Sequence, residues 1–543
     1  MWVNSNYVSS DHFPLCVRIK LESINIDNGT DQVSVTSRIR EVNRIKWCDM
    51  SVVDHHSYRD NTDRYFKDFK FEHAMVLCDN VCCNDSSHIS AINDMYDCIV
   101  STLLYASSSF RKDGKHVFNQ VEGWNEHCKQ AHSDAREAFL LWRLSNSPKQ
   151  GLVFDTMRRT RSNFKLVLRN CKSGQLKTSA DTLALKFLSK DSKSFWKDIK
   201  KHTSCEASIA STVNGISGQV NIADMWHDHF KNLLNSSQCI SNKPYVLDAI
   251  NSINNNNYLN RITPGEILDA FNNLKLGKSP GLDGLYAEHF KFASDKLSVL
   301  LSILINAMLI HGHLPSKFME TVILPIIKNK RGDITNKDNY RPIAITNVFS
   351  KVFEAVLLHR YSALLVTTDN QFGFRNNHST DMCMFAFQQV VDLYVSMNSP
   401  VYICYLDASK AFDRINHWTL FKKLLHRSIP VVIIRIIMYW YTQQTFVVQW
   451  GSYLSSSFMC SNGVRQGGIL SPIFFNIYVD ELSCSLTNLK TGCNINNIFI
   501  NHFMYADDTV LIAPSPVALQ KLINCCLNFA KNNDMLFNTK KSV

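Results

Sequence analysis

The sequence predicts an α+β fold, and three observations carry that reading. Phe503-Met504-Tyr505-Ala506-Asp507-Asp508-Thr509-Val510-Leu511-Ile512 sets two adjacent carboxylates between two apolar runs, the pattern of a β-hairpin that turns at Ala506-Asp507-Asp508. Val401-Tyr402-Ile403-Cys404-Tyr405-Leu406 reads as a second buried strand and runs straight into Asp407. Between and around these strands, helix signals recur, from Thr263-Pro264-Gly265-Glu266 to Ser515-Pro516. Neighbouring acids at a strand end repel one another, and a cation commonly compensates. An Asp-Asp pair alone is most often a solvated turn. The carboxylate ending another strand makes it a candidate metal site.

The bulk numbers bound the rest. With 543 residues, 45% of them apolar, the chain has room for two to four globular domains. Lys and Arg number 58 against 47 Asp and Glu, a net charge of +11, and the pI is near 8.8. Residues 141–201 hold 15 Lys and Arg, four Asp and no Glu, so this one segment carries the whole excess. Such a local field suits nucleic acid or a membrane surface. The 17 cysteines are scattered through apolar runs. Cys78, Cys82 and Cys83 lack a second pair at zinc-finger spacing, so the cysteines are expected to be mostly buried free thiols in a reducing compartment and not metal ligands. The start has no basic region followed by an apolar stretch, and no apolar window is long and uninterrupted enough to span a bilayer. Without a GxxxxGK loop or a GxGxxG turn, ATPase and dehydrogenase readings lose their main support.

Taken in order, residues 13–19 read as a strand, and helices are expected at 65–81 and 90–107. Trp124, Cys128, Ala131, Ala135, Ala138, Phe139 and Trp142 recur every three or four residues, one apolar helix face. Two further helices, 154–170 and 180–200, carry the basic residues. Trp124, Trp142 and Trp196 keep helical register and are expected in the core. A hairpin turns at Asn214-Gly215, a helix follows near 224–234, and 251–260 is an Asn-rich loop. From Ile262 the grammar sharpens: Thr263 caps a helix, Pro264 opens it, Glu266 closes a capping box, and Ile262 staples against Ile267. A strand at 321–327 precedes helices at 347–363 and 380–396. After the Asp407 strand come helices at 418–426 and 430–442, hairpin strands around 445–458, and a helix beyond Gly468. Ser515 caps and Pro516 opens a last amphipathic helix.

Asp407 and Asp507, at the ends of neighbouring strands, can hold two magnesium ions about 3.5–4 Å apart against phosphate oxygens, the arrangement for in-line phosphoryl transfer. Asp508 contributes less. Asp413, beside Lys410 and Arg414, is expected to be structural rather than a metal ligand. Phe412 is ordinary core or a wall against a sugar ring. Lys328 and Arg341 lie next to strands, where cations can reach a triphosphate. Gly467-Gly468 allows close backbone approach, and Gln466 beside them can hydrogen-bond a nucleotide or base.

Together the motifs become specific. Leu276-Gly277-Lys278-Ser279-Pro280-Gly281-Leu282-Asp283-Gly284, Asn339-Tyr340-Arg341-Pro342-Ile343, and Gln371-Phe372-Gly373-Phe374-Arg375 with Ser379-Thr380 come first. Leu406-Asp407 through Lys410-Ala411-Phe412-Asp413, then Gly463-Val464-Arg465-Gln466-Gly467 with Leu470-Ser471-Pro472, and Tyr505-Ala506-Asp507-Asp508 follow. This ordered set, over about 270 residues, resembles the reverse transcriptase of non-LTR (LINE-type) retrotransposons.

The resemblance implies a right-hand polymerase, with fingers over 251–400 and an antiparallel palm sheet over 401–543. A mainly helical basic region over 21–250 precedes them. It implies RNA-directed DNA polymerase activity in retrotransposition, with RNA template, DNA primer and deoxynucleoside triphosphates as partners. Asp407, Asp507 and Asp508 would carry two Mg2+ (or Mn2+), and Phe412 would reject a ribose 2′-hydroxyl. Lys328 and Arg341 would hold the triphosphate, Gln466 and Gly467 would shape its pocket, and Lys541 would protonate pyrophosphate. The basic stretch 158–201 would touch template RNA through its backbone. Ser10-Asp11-His12-Phe13-Pro14 resembles the last motif of an apurinic-type endonuclease, so 1–20 is expected to be its remnant, without DNA cleavage. Gly468 stands where the family often has cysteine or another small residue. The family's helical thumb is expected to be missing. A nucleic-acid-binding fragment without catalysis is the alternative, and the resemblance places the protein in the nucleus or cytoplasm as a ribonucleoprotein.

Overall fold

The computed structural model describes residues 2–3, 15–16, 38–39, 45, 47–110, 124–189, 191, 194–196, 198–199, 210–236, 240–254, 260–539 and 541–542. The chain divides into two compact units, Met1–Arg38 and Ile39–Val543. In the first, Trp2–Val3 pairs antiparallel with Leu15–Cys16. Leu15–Cys16 is the described part of the strand expected at 13–19, and Ser10 to Pro14 lies outside the described residues.

The second unit mixes helices and strands, as the sequence predicts. Its expected helix starts form for the expected reason. At Pro264–Asn272 the Thr263 hydroxyl accepts from the Glu266 amide, and the Glu266 carboxylate accepts in return from the Thr263 amide at 2.9 Å. A cap of this kind is worth about 1 kcal/mol. Arg360 reaches back from the Val348–Tyr361 helix to the same carboxylate, and this hydrogen-bonded charge holds the Glu266 pKa down at about 2. Ser515 caps Pro516–Asn532 as expected by accepting from the Ala518 amide, and Ser379, for which no cap was expected, accepts from the Met382 amide at the start of Thr380–Ser396.

Two sheets position the site. In the first, Glu320–Ile327 pairs antiparallel with Tyr340–Thr346 and parallel with Thr445–Trp450. Its inner face packs Ile323, Tyr340, Phe446, Val448 and Trp450 against Trp226 and Phe230 of the Gln219–Leu233 helix. In the second, Asp508–Ala513 lies between His502–Tyr505 and Tyr402–Asp407, antiparallel to both. Alternation gives this sheet two faces. Leu406, Met504 and Leu511 enter the main core, while Ile403, Phe503 and Ile512 pack with Val390, Tyr394 and Cys493 in a smaller one.

The N-terminal half departs from expectation. The first helix is Val52–Lys67, capped by Ser51, and only the short His73–Leu77 helix falls in most of the expected 65–81 segment. Phe69 and Phe71 join the core from the bend between them, so tertiary packing outweighs helix continuity there. In the basic stretch one 37-residue helix, Leu152–Leu188, runs through the break expected between 170 and 180, and residues 194–196 and 198–199 are helical again. The long helix packs against Glu126–Leu144 and continues through Gly174. Three tryptophans expected in the core are not there. Trp196 is 58% exposed, Trp124 is 37% exposed and packs edgewise on Phe164, and half-buried Trp142 donates its indole N–H to Pro148. Helical register alone cannot distinguish a core stripe from the seam of a two-helix hairpin. The cysteines are also less buried than expected: among those described, Cys128, Cys460, Cys493 and Cys526 are buried, whereas Cys48, Cys82, Cys98 and Cys484 are exposed.

Candidate active site

The strand register assembles the aspartates. Asp508 stands directly across from Asp407, and Tyr505 closes the hairpin opposite Asp508, leaving Ala506 and Asp507 as the turn. Parity then runs Ile512 with Ile403, Val510 with Tyr405, and Asp508 with Asp407 along one face. That face leaves the small core as it approaches the carboxylates. Partial desolvation raises the Asp508 pKa above the usual aspartate value, the negative charges of Asp507 and Asp407 push the same way, and Lys541 opposes them.

The segment after the last long helix closes the other side of Asp407. Phe537 bridges Ala408, and Asn538 donates its backbone N–H to the Asp407 carbonyl at 2.8 Å. The Asn538 side-chain amide donates to the Asp407 carboxylate at 3.2 Å, and Lys541 Nζ lies 3.5 Å from the same oxygen. Lys541, predicted from the sequence as a site residue, is thus brought to Asp407.

The turn carrying Asp507 is held from behind. Ala506 has a left-handed backbone (φ 57°), which a non-glycine residue adopts only with support. Gln371 supplies it. Its side-chain oxygen accepts from the Ala506 and Gly373 amides at 2.9 Å each, and its side-chain nitrogen donates to the Ala506 carbonyl at 3.2 Å. Gly373 is what lets the segment come so close, since a Cβ there would stand 2.2 Å from the Ala506 nitrogen.

The predicted nucleotide-side residues meet beside this sheet. Lys328 ends its strand one step past the Ile327–Tyr340 and Ile326–Arg341 pairs, and its ammonium donates to the Asp338 carbonyl at 2.9 Å. Burial pulls the Lys328 pKa below the usual lysine value, and the charges of Arg341 and Lys410 lower it further. Asp413 is buried, and its pKa is pushed up to about 6 by desolvation against the opposing effect of a 2.8 Å hydrogen bond from Gln466. The geometry therefore gives Asp413 the hydrogen-bonded position expected of it. Gln466 has spent its amide N–H there, so the free contact to a nucleotide or base expected of it is already partly occupied. The Gln466 carbonyl accepts from Ala344, and at Gly467 (φ 142°) a Cβ would stand 2.4 Å from the Ala344 carbonyl. Phe412 stacks on Phe475 at 4.8 Å and meets Phe374 edge-on at 5.8 Å. It is half-buried, so one side packs as core and the other remains available.

A buried ion pair fixes the backbone of this loop. Arg465 Nη2 lies 2.5 Å from Glu354, each side chain is 2% exposed, and the guanidinium stacks 3.9 Å over the Trp440 ring. The other Glu354 oxygen accepts from the Ile469 and Leu470 amides at the start of the Ser471–Asn488 helix. Sequence reading assigned no role to Gln371, Gly373, Glu354 or Asn538. The glutamine and glycine lay inside a quoted motif. Glu354 carried no local signal, because its partner is 111 residues away.

Residues 327–543, the part that carries this geometry, match the model of the family described as reverse transcriptase (RNA-dependent DNA polymerase). The Pol polyprotein from the type-2 retrotransposable element R2DM of Drosophila melanogaster is 28% identical over 274 residues, 49% of this chain and 25% of its own. The RNA-directed DNA polymerase from the Drosophila melanogaster mobile element jockey is 26% identical over 296 residues, 52% of this chain and 31% of its own. This part of the chain is similar to the reverse transcriptases of non-LTR retrotransposons. A type-1 element R2 polyprotein of Popillia japonica is 28% identical, with 37% of its length covered, so the chain spans well under half of each of these relatives. Among solved structures, a telomerase from Candida tropicalis overlaps 69% of this chain and 68% of its own. At 14% identity and a TM-score of 0.32, it is too distant to carry anything across.

Proposed function

We propose that this reverse transcriptase domain is catalytic, an RNA-directed DNA polymerase that extends a DNA 3′-hydroxyl on an RNA template in retrotransposition. One observation carries the reading: Asp508 faces Asp407 in register while a Gln371-supported turn holds Asp507 beside them. Three carboxylates at one end of this sheet supply the oxygen donors that a hard divalent cation takes. Two Mg2+ (or Mn2+) held by Asp407, Asp507 and Asp508 would activate the primer hydroxyl and stabilise the leaving pyrophosphate.

The chain's own residues then have distinct tasks. Lys328 and Arg341, with Lys410, meet the charge of an incoming deoxynucleoside triphosphate. Phe412, backed by Phe475, excludes a 2′-hydroxyl, and Gln466 and Gly467 shape the pocket floor. Lys541 offers a proton on the Asp407 side. In this reading residues 251–400 are fingers, 401–543 are palm, 21–250 are the mainly helical basic region and 1–20 are of endonuclease type. Arg158, Arg159, Lys165 and Arg169, exposed along the long helix, face template RNA. The natural setting is a ribonucleoprotein in the nucleus or cytoplasm.

Primer extension on a poly(rA)/oligo(dT) duplex tests the proposal. The chain is expected to incorporate dTTP with Mg2+ present and to stop when the ion is chelated. Salt-dependent binding of the duplex without incorporation would replace the polymerase with a binding protein. Gly373→Ala is a second check: its Cβ must displace the Asp507 turn, and a shift near 1 Å costs on the order of 10²-fold. Incorporation unchanged in this variant would mean that the turn's position does not matter.

A further inference from the structure

The helix-rich side of the second unit holds a cluster that the polymerase reading does not use. Cys78 and Cys83 lie in the loop between His73–Leu77 and Ser86–Ala106, His88 is in the first turn of the latter helix, and His311 ends Lys296–His311. One ligand atom from each of the four lies within 4.8 Å of all the others. His88 Nδ1 is 3.1 Å from His311 Nε2 and 3.5 Å from Cys83 Sγ. Around a tetrahedral ion with bonds of roughly 2.0–2.3 Å, ligand atoms stand about 3.3–3.8 Å apart.

The proton arrangement points the same way. His311 Nδ1 lies 2.9 Å from the Ala307 carbonyl, which can only accept, so the proton sits on Nδ1 and the Nε2 lone pair faces the cluster. A backbone carbonyl fixing the far ring nitrogen is the usual support of a metal-bound histidine. The backbone is held too. The Asn80 side chain accepts from the Cys82 amide at 2.9 Å and its carbonyl from the Cys83 amide at 3.0 Å, bending the loop so that Cys78 and Cys83 share one side. Arg435 donates to the Val81 carbonyl on one side and to the Leu309 and Ile310 carbonyls, each at 2.8 Å, on the other. One guanidinium thus clamps the cysteine loop to the helix end that bears His311. Cys82, between the two ligands, turns away and donates to the Ile253 carbonyl.

We propose that Cys78, Cys83, His88 and His311 form a structural zinc site joining the loop before Ser86–Ala106 to the end of Lys296–His311. Two thiolates and two neutral imidazoles are a Zn2+ donor set, and with four protein ligands no position remains open for substrate. Binding releases the two thiol protons and leaves the site electrically neutral.

The test is metal content and Co2+ substitution of the full chain, purified under reducing conditions with excess Mg2+ to occupy carboxylate sites. About one Zn2+ per chain is expected, with a thiolate-to-Co2+ charge-transfer band and tetrahedral ligand-field bands after exchange. Cys78→Ser with Cys83→Ser should lose the zinc and lower the unfolding temperature, while Cys82→Ser should keep both. A folded wild-type chain without zinc, or a cobalt spectrum without the thiolate band, overturns the proposal. So does full zinc content in the double variant. The wild-type measurements decide the question even if that variant does not fold.

Discussion

Asp407→Asn is expected to lower nucleotide incorporation by on the order of 10³-fold or more while leaving the protein folded. A carboxylate supporting a catalytic cation is worth several kcal/mol, and each 1.36 kcal/mol is tenfold in rate. Asparagine keeps the shape and can still accept the hydrogen bond from Asn538, whose backbone contact to the Asp407 carbonyl is unaffected. The charge is what goes, and with it the counter-charge that brings Lys541 within 3.5 Å. Asp507→Asn should fall in the same range. Single-turnover extension, with circular dichroism as the control, reads both. Incorporation within tenfold of wild type would show that these carboxylates hold no catalytic cation. Asp413→Asn is a useful contrast, because Asp413 is buried and bonded to Gln466 rather than open to the site.

Glu354→Ala is expected to destabilise the second unit by about 3–5 kcal/mol. Removing one member of a buried ion pair leaves the other charge uncompensated, and that, rather than the pair's own attraction, sets the cost. The remaining group would be Arg465, 2% exposed with Trp440 over its face, and the Ile469 and Leu470 amides would lose their acceptor as well. Replacing both partners with apolar residues should recover much of the loss. Urea unfolding of the two single variants and the double variant gives the coupling. If Glu354→Ala unfolds at the wild-type urea midpoint, the pair is not what holds the Arg465-Gln466-Gly467 backbone.

Much of the site was legible because its elements are local. An apolar run ending in Asp407, and two acids between strands, need only period-two alternation to be read. Thr263, Ser379 and Ser515 start helices where expected because a cap satisfies nearby amides, an interaction complete within four residues. The misses lie where a distant partner decides. Phe69 and Phe71 end a helix by entering a core built largely from residues beyond 260, and Leu152–Leu188, which packs along another helix over part of its length, runs through the expected break. Gln371 and Gly373 support the Ala506 turn, 135 and 133 positions later in the chain. Cys78 and Cys83 find their fourth companion, His311, more than 200 residues on, so their spacing alone could not reveal it.

What the sequence by itself determined here is the chemical inventory and its order: the aspartates at strand ends, the cations and glycines proposed for nucleotide binding, and the basic stretch between 141 and 201. Short-range physics, capping and alternation, suffices for that. Only the tertiary structure decided that Asp508 faces Asp407, that Asn538 and Lys541 close over it, and that Gln371 holds the turn. Register, buried pairs and metal clusters depend on which surfaces meet, and that is settled by the packing of the whole unit rather than by any one segment.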